Sequence, residues 1–446
     1  MAAPVVGGAA MSSQISEVFA WEALDSRGRP TVGCEVTLRG GARGTVTVPS
    51  GASTGGYEVR ELRDGGERYG GYGVLGAVRN VIDVLGPAVE GLDAHQRDAL
   101  DATLVDVDGT ADLSRLGGNA VLAVSLAALL AAAQDAGVPL YRYLDDTGEP
   151  PLLPLPMVNI VSGGAHAGGM LDIQDVLAVP VGAPDLSQAI EWVWRVRHAA
   201  SDLLARQGAP TALVADEGGL AAHLRSNAAA LDLVCGAIER AGLCPGADVS
   251  LAVDIAASQI VQPDGRFRLA VENRDLPSAE WLEEVVRWCR NYPVVSVEDV
   301  LHEDDWTGWA EVTERLSHIQ LLGDDLFATH LSRLNHGIER GAGNAVLVKP
   351  NQTGTVSRAE QVARRALDAG YGCVVSARSG DSEDSYLADL AIGWRAGQIK
   401  VGSLTRSERN AKWNRLLRIA GELGENKRFA GPEFLGGSRG TGTSSL

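Results

Sequence analysis

From Thr211 onward the sequence alternates short apolar segments with amphipathic ones, and this alternation limits the possible folds more than any other feature. The amphipathic segments include SAEWLEEVVRWCRNY and RAEQVARRALDAG, and they separate the apolar segments TALVAD, VSLAVD, VVSVED, IQLLGDD, AVLVKP, GCVVSARS and QIKVGS. Successive apolar strands divided by helices indicate a parallel sheet, and seven or eight of them favour a closed barrel. The sequence therefore predicts an α/β protein with a C-terminal (β/α)8 barrel.

The first 145 residues have a different pattern. The strand-like segments TVGCEVTL and GTVTVPS precede the Ala- and Leu-rich helical segment NAVLAVSLAALLAAAQDAG, which is typical of an α+β domain. A Pro-rich stretch at 146–156 predicts a linker. We therefore expect a flexible extension at 1–14, a smaller α+β domain at 15–147, the barrel at 148–432 and a flexible tail at 433–446.

Charge and composition exclude several classes of function. The formal net charge of -18 and the lack of a basic stripe with interleaved aromatic residues argue against nucleic-acid binding, whereas a small anion could bind where metal ions or a few focused cations reverse the local sign. Five scattered cysteines without a CxxC pair indicate buried thiols in a reducing cytoplasm, rather than disulfides or zinc ligands. The sequence has no unbroken apolar run of about eighteen residues, so we expect no membrane span.

Ionisable residues stand at the same relative place after almost every predicted strand. In a parallel barrel all strand C-termini face one rim, so these side chains should converge on one pocket. A single charge after a strand is more often a solvated turn residue, but seven in register favour an active site. The seven are Glu217, Asp254, Glu298, Asp324, Lys349, Arg378 and Lys400.

The chemistry of this set indicates metal-assisted proton abstraction. Asp254, Glu298 and Asp324 offer only oxygen ligands from successive strands, which suits Mg²⁺ rather than zinc. A structural ion network is the alternative, disfavoured because burying so many charges without a ligand is costly. We expect neighbouring cations to lower the pKa of Lys349 so that its amine is a general base, with Glu217 across the barrel as its proton-transfer partner.

Eleven segments in order from Ala23 to Ser403 resemble the enolase family, the 2-phosphoglycerate dehydratases. They are ALDSRGRPTV, VPSGASTGG, ELRDG, LGGNAVLAVSLA, ADEGG, VDIAAS, SVEDV, LLGDDLF, VKPNQTGT, SARSGDSED and GQIKVGS. The resemblance implies an α+β N-terminal domain, an eight-stranded barrel whose first strands are antiparallel, and a homodimer or higher homo-oligomer. It also implies a small phosphorylated three-carbon acid as substrate and two Mg²⁺ ions per site, the second arriving with substrate.

Roles follow from the resemblance position by position. Lys349 matches the base for the C2 proton and Glu217 the acid for the leaving 3-hydroxyl, with Asp175 and His166 also in the catalytic set. The first Mg²⁺ would be held by Asp254, Glu298 and Asp324, and the second with help from Ser53. The implied substrate contacts are His166, Gln174, Arg378, Ser379 and Lys400.

Several positions depart from the family pattern near the chemistry. Ala377 stands where most enolases have His, Asp175 where they have Glu, and Ser162 where they have Asn, with further departures at Val300 and Pro350. Three functions therefore stay open. They are ordinary enolase activity, the same dehydration of a phosphorus-modified 2-phosphoglycerate to carboxyphosphonoenolpyruvate in phosphinate or phosphonate antibiotic biosynthesis, and a non-catalytic binding role on the enolase fold.

Overall fold

The N-terminal unit is a three-stranded antiparallel sheet covered by helices, in a computed structural model that describes residues 12–51 and 55–436. Its strands, in the spatial order β1-β2-β3, are β1 (Ile15–Leu24), β2 (Pro30–Leu38) and β3 (Arg43–Thr47). Its helices are α1 (Leu75–Asn80), a π-helical turn (Val81–Leu85), α2 (Gly86–Val89), α3 (Arg97–Asp108), α4 (Gly118–Asp135) and α5 (Leu140–Leu144). These elements form the α+β arrangement that the sequence predicts.

Helix α4 is the centre of this unit. It packs directly on β3, where a Cβ at Gly44 would lie 2.0 Å from the carbonyl oxygen of Ala127, so only glycine allows this approach. Among the described residues α4 is also the one helix long and apolar enough to cross a membrane, but 83% of that stretch is buried inside the protein. Its apolar residues therefore form the core of the sheet–helix packing.

The C-terminal unit is a closed barrel of eight strands. Going round it, the strands are β5 (Leu155–Ser162), β6 (Asp175–Val179), β8 (Ser250–Asp254), β11 (Val294–Glu298), β12 (Gln320–Gly323), β13 (Ala345–Val348), β14 (Gly372–Ser376) and β15 (Gly397–Lys400), and β15 pairs with β5. Short accessory strands are β4 (Leu152–Leu153), β7 (Leu220–Ala221), β9 (Phe267–Leu269), β10 (Arg274–Leu276) and β16 (Arg428–Phe429). The predicted fold class is confirmed.

Helices surround the barrel on the outside. They are α6 (Leu186–Arg206), α7 (Asn227–Arg240), α8 (Ser278–Asn291), α9 (Trp306–Arg315), α10 (Leu331–Arg340), α11 (Pro350–Thr353), α12 (Val356–Asp368), α13 (Tyr386–Gly393) and α14 (Ser407–Leu423). Apolar side chains fill the barrel interior, including Met157, Leu177, Leu322 and Leu347. Charged side chains are left to the rim formed by the carboxyl ends of the parallel strands.

One strand of the barrel runs against the others. β6 is antiparallel to both β5 and β8, whereas the other neighbouring barrel strands are parallel. The parallel strands predicted from the alternation after Thr211 are confirmed for β8 and β11 to β15, and the antiparallel start implied by the enolase resemblance is confirmed at β6. The connection from β5 to β6 holds a single 3-10 turn (Gly164–Ala167) and no crossover helix, and a parallel connection would need such a helix.

Two local predictions are wrong. Residues 211–216, TALVAD, form no strand beyond a bridge between Val214 and Leu220. Leu213 is 54% exposed, and the pairing with the end of β5 is made by Leu220 and Ala221 of β7 instead. Glu217 therefore lies in a turn. Part of the predicted linker is also barrel, since the leucines between its prolines are buried in β4 and β5.

The described ends of the chain are more ordered than the sequence predicts. Ser13, within the predicted extension, is buried, and Gln14 bridges to Asp93. In the predicted tail, Leu435 is buried and the backbone N–H of Gly436 donates to Gln320 Oε1 at 2.8 Å. Residues 1–11 and 437–446 lie outside the described part, and the predicted boundary at 147/148 stays a prediction.

Candidate active site

A small polar cavity lies at the carboxyl ends of the barrel strands. It is lined by Glu58, His166, Gln174, Glu217, Asp254, Asp324, Asp325, Lys349, Ser376, Ala377, Arg378, Ser379 and Lys400. The cavity measures about 30 Å³.

Three carboxylates and two lysines make up one part of the cavity, which we call the acid half: Asp254, Glu298, Asp324, Lys349 and Lys400. Lys400 Nζ donates to Asp254 Oδ2 at 2.7 Å and to Glu298 Oε2 at 2.6 Å. Lys349 Nζ donates to Asp324 Oδ2 at 2.5 Å. These five side chains, which the sequence predicts on one rim, therefore form two hydrogen-bonded groups. One contains Lys400, Asp254 and Glu298, and the other contains Lys349 and Asp324.

Strand register explains this arrangement. β8 and β11 are parallel neighbours with Asp254 opposite Glu298, and Asp324 follows the last residue of the next strand, β12. Asp299, directly after Glu298, has φ 45° and accepts the backbone N–H groups of Asp324 and Asp325 at 3.0 and 2.9 Å. Sequence reasoning missed Asp299, and its only signal was a second acid after the strand.

The pKa values in the acid half reflect burial and crowded charge. Burial, reinforced by Asp254, raises the pKa of Glu298 well above its usual value. Burial favours the neutral amine of Lys349, but the Asp324 carboxylate outweighs it and the pKa of Lys349 is raised. The expectation that Mg²⁺ and Lys400 together lower the pKa of Lys349 stays a prediction, since in the protein alone its nearest partner is the Asp324 carboxylate.

The donor set fits divalent magnesium. Oxygens of Glu298, Asp299 and Asp324 lie within 4.8 Å of one another, and Asp254 joins them through Lys400. Of the residues lining the cavity, five are carboxylates against two lysines, one arginine and one histidine. Hard oxygen donors with an excess of negative charge are what Mg²⁺ requires. Ser53, predicted to help hold a second Mg²⁺, lies outside the described residues.

His166, Asp175 and Glu217 form a second group on the opposite side. His166 Nδ1 lies 3.1 Å from Asp175 Oδ2, and His166 Nε2 lies 3.9 Å from Glu217 Oε1. Burial opposes the charge on His166, but Glu217 and Asp175 outweigh it and raise the pKa of the ring to about 9. Burial is likewise outweighed at Glu217, where His166 and Arg409 lower the pKa to about 2. His166 and Glu217 thus share one proton, which lies on the His166 ring.

Gln174 is bonded to the acid half and to Gln259. Its Nε2 donates to Asp254 Oδ2 at 3.0 Å, and its Oε1 accepts from Gln259 Nε2 at 2.8 Å. The side chain predicted to contact substrate is therefore oriented from both ends.

Arg378 and Ser379 form the third part of the cavity, which we call the anion end. The guanidinium of Arg378 makes a two-point ion pair with Glu58, with Nη1–Oε2 at 2.7 Å and Nη2–Oε1 at 3.2 Å. Despite burial, Glu58 and Asp324 raise the pKa of Arg378 above its usual value. Glu58 was missed from the sequence, although it lies between two of the segments that resemble the enolase family.

Side chains of helix α14 hydrogen-bond to the backbone of the anion end. Arg409, fully buried, donates to the carbonyl oxygens of Arg378 and Ser379, both at 2.7 Å. Lys412, also fully buried, donates to Asp381 Oδ1 at 2.9 Å and to the carbonyl oxygen of Ser382 at 2.5 Å. Arg27 of the N-terminal unit reaches Ser379 Oγ at 3.4 Å.

Comparison with protein-family models identifies both units. Residues 15–144 match the model described as the enolase N-terminal domain, and residues 150–437 match the enolase C-terminal TIM barrel domain. The chain belongs to the enolase family. Enolases are hydro-lyases that typically use Mg²⁺, and this membership makes the cavity an enolase-type dehydratase site with acidic clusters able to bind that metal.

Proposed function

We propose that this enzyme is a Mg²⁺-dependent lyase that removes water from 2-phosphoglycerate to give phosphoenolpyruvate. The observation that carries the proposal is that Lys349 and Glu217 line the same cavity as Asp254, Asp324 and Arg378. A base, an acid, a metal site and an anion-binding group are what elimination beside a carboxylate requires.

In this proposal Lys349 takes the proton from C2 and the C3 hydroxyl leaves. Lys349 is the base in its neutral form, so its ammonium group, now paired with Asp324, first passes one proton to solvent water. The electron pair of the C2–H bond forms the double bond as the C3–O bond breaks. The departing hydroxyl takes up a proton through Glu217, supplied from the protonated ring of His166, and leaves as water.

The other residues bind and orient. The substrate phosphate would replace Glu58 as the partner of Arg378 and would also contact Ser379. Gln174 and Lys400 would contact the carboxylate end of the substrate. Asp254, Glu298 and Asp324, and Ser53 for a second ion, would hold Mg²⁺. The metal would supply positive charge beside the substrate carboxylate, where negative charge develops after loss of the C2 proton.

Ala377 favours a second candidate, the same dehydration on 2-phosphoglycerate with a carboxylate on phosphorus. Ala377 lines the cavity directly before Arg378, and its methyl group leaves room that a histidine ring would fill. Such a reaction gives carboxyphosphonoenolpyruvate and belongs to phosphinate or phosphonate antibiotic biosynthesis, whereas the ordinary reaction belongs to glycolysis.

A side-by-side assay of the two substrates with Mg²⁺ decides between them. We expect measurable turnover of 2-phosphoglycerate, and its absence would contradict the first proposal. Ala377→His should then improve kcat/KM for 2-phosphoglycerate and harm it for the larger analogue if the second proposal holds. Equal effects on both substrates would count against the second proposal.

We further propose a cytoplasmic homodimer. The edge strand β1 exposes Phe19 and Leu24, 53% and 56% accessible, and uncovered edge strands are unfavourable in soluble proteins. Sedimentation equilibrium of wild type and of Phe19→Ser tests the dimer. A monomeric wild-type protein would contradict it.

A further inference from the structure

We propose that Ser162 is a positioning residue that fixes the carboxylate of Asp175 and, through it, the ring of His166 beside Glu217. This inference rests on the proposed dehydration, in which His166 and Glu217 supply the proton to the leaving hydroxyl. It concerns a side chain that the resemblance assigns no role, at a position where the family usually has asparagine.

The hydroxyl of Ser162 and the carboxylate of Asp175 face each other across one register pair. Ser162 ends β5, Asp175 begins β6, and the two residues are opposite in the antiparallel ladder. Ser162 Oγ donates to Asp175 Oδ1 at 2.5 Å, and both residues are at most 1% exposed. The carboxylate therefore has one oxygen on Ser162 and the other on His166 Nδ1, at 3.1 Å.

This division of the two oxygens sets the direction of the imidazole ring. With Nδ1 held by Asp175, Nε2 points toward Glu217 Oε1 at 3.9 Å. Without the Ser162 hydroxyl, one oxygen of a buried carboxylate would lose its donor, which is costly and favours rotation of the carboxylate. Since Asp175 holds the ring, such a rotation would carry His166 out of line with Glu217.

The surroundings of Ser162 leave little freedom for another arrangement. A Cβ at Gly219, in the turn after Glu217, would lie 2.2 Å from Ser162 Oγ, so the backbone of that turn touches the hydroxyl. A larger side chain at position 162 would push against the segment that carries Glu217. Serine is small enough for this space and still provides a donor.

The two departures from the family pattern fit one another. Asn to Ser at 162 and Glu to Asp at 175 both shorten a side chain, and they occur on facing residues of one register pair. The two shorter side chains are in direct contact at 2.5 Å. We therefore expect positions 162 and 175 to depend on each other, because a longer residue at either of them overfills the shared space.

Kinetics of Ser162→Ala form the first part of the test. We expect kcat to fall about 10-fold or more, because proton transfer is sensitive to small misplacements, while KM changes by less than about 3-fold, since Ser162 does not line the cavity. Ser296→Ala is the matched control, because Ser296 is equally buried in a barrel strand but bonds Gln320 instead. An unchanged kcat for Ser162→Ala would overturn the proposal.

The second part uses the pair of longer residues. Ser162→Asn and Asp175→Glu should each lower kcat, and because both longer side chains compete for the same space, the loss in the double variant should differ clearly from the sum of the two single losses in the double-mutant cycle. This comparison holds even if Ser162→Ala folds poorly. Losses that simply add in the double variant would overturn the proposal.

The third part does not depend on turnover. The ¹⁵N resonances of the His166 ring, assigned by their absence in His166→Gln, should shift in Ser162→Ala and stay in place in Ser296→Ala. If wild type turned over neither substrate, the proposed function would fail, and these resonances would still decide the role of Ser162. Unshifted His166 resonances in Ser162→Ala would overturn that role.

Discussion

The acid half and the anion end of the cavity are held in opposite ways. Asp254, Glu298 and Lys400 come from the ends of barrel strands, and they bond to one another. Arg378 at the anion end is paired with Glu58, which lies 320 residues away in the chain, and its backbone is held by α14. The barrel alone thus assembles the three acids proposed to bind the first metal ion, whereas the ion pair at the anion end joins both units of the protein. Variants far from the cavity should therefore disturb the anion end and spare the acid half.

The largest effect is expected at the acid half itself. Lys349→Ala should lower kcat about 100- to 10,000-fold, the usual contribution of a general base, while Mg²⁺ binding measured by calorimetry persists because the three acids remain. Lys427→Ala is the control, since Lys427 lies outside the cavity and bonds the carbonyl oxygen of Gly424. A Lys349→Ala enzyme that keeps more than a tenth of wild-type kcat would contradict the assignment of Lys349 as the general base.

A remote cation should strongly affect the anion end. Lys412→Met leaves the buried Asp381 carboxylate without its ammonium partner, and breaking a buried pair costs about 3–5 kcal/mol. Urea unfolding should show that loss in the free energy of unfolding, with Lys427→Met unchanged. In the folded fraction KM should rise and Mg²⁺ affinity should stay the same. If Lys412→Met weakened Mg²⁺ binding and left KM normal, the remote cation would support the acid half and not the anion end.

Between the two parts, His166 should make stability depend on pH. Its pKa in the folded protein is raised to about 9 from the ordinary 6.5, so its stabilising contribution is complete below pH 6.5 and is lost as pH rises through 9. For a shift of this size the change is on the order of 3 kcal/mol. His166→Gln should therefore flatten the decline in unfolding free energy over this pH range. A decline as steep as that of wild type would show that His166 is not the titrating group.

The smallest effect is expected at the ion pair that occupies the anion end. Glu58→Gln removes the charge that competes with a phosphate for Arg378, and it keeps an oxygen that can accept the backbone N–H of Gly55, as Glu58 does at 3.0 Å. KM should fall about 3- to 10-fold, equivalent to roughly 1 kcal/mol. Glu61→Gln, whose partner is Arg63, is the matched control. A higher KM in Glu58→Gln would mean that Glu58 supports phosphate binding.

The sequence predicts the acid half better than the anion end for a physical reason. Apolar segments divided by helices predict neighbouring parallel strands, so the convergence of Asp254, Glu298 and Asp324 follows from local pattern and barrel geometry. Nothing local indicates that Glu58 reaches Arg378, because that contact depends on how the two units dock. The reversed direction of β6 is likewise set by the connection from β5, and the apolar segment before Glu217 resembles a strand although the residues that pair with β5 are Leu220 and Ala221, after Glu217.

The position of α14 in the chain has a consequence for biosynthesis. Arg409 and Lys412 support the backbone of Arg378 and Ser379 from the last helix that the structure describes. Because a ribosome makes the chain from its N-terminus, every residue that lines the cavity is polymerised before these two cations exist. A nascent chain can thus pair its first barrel strands early, but the anion end can take its final shape only after residue 412 has left the exit tunnel.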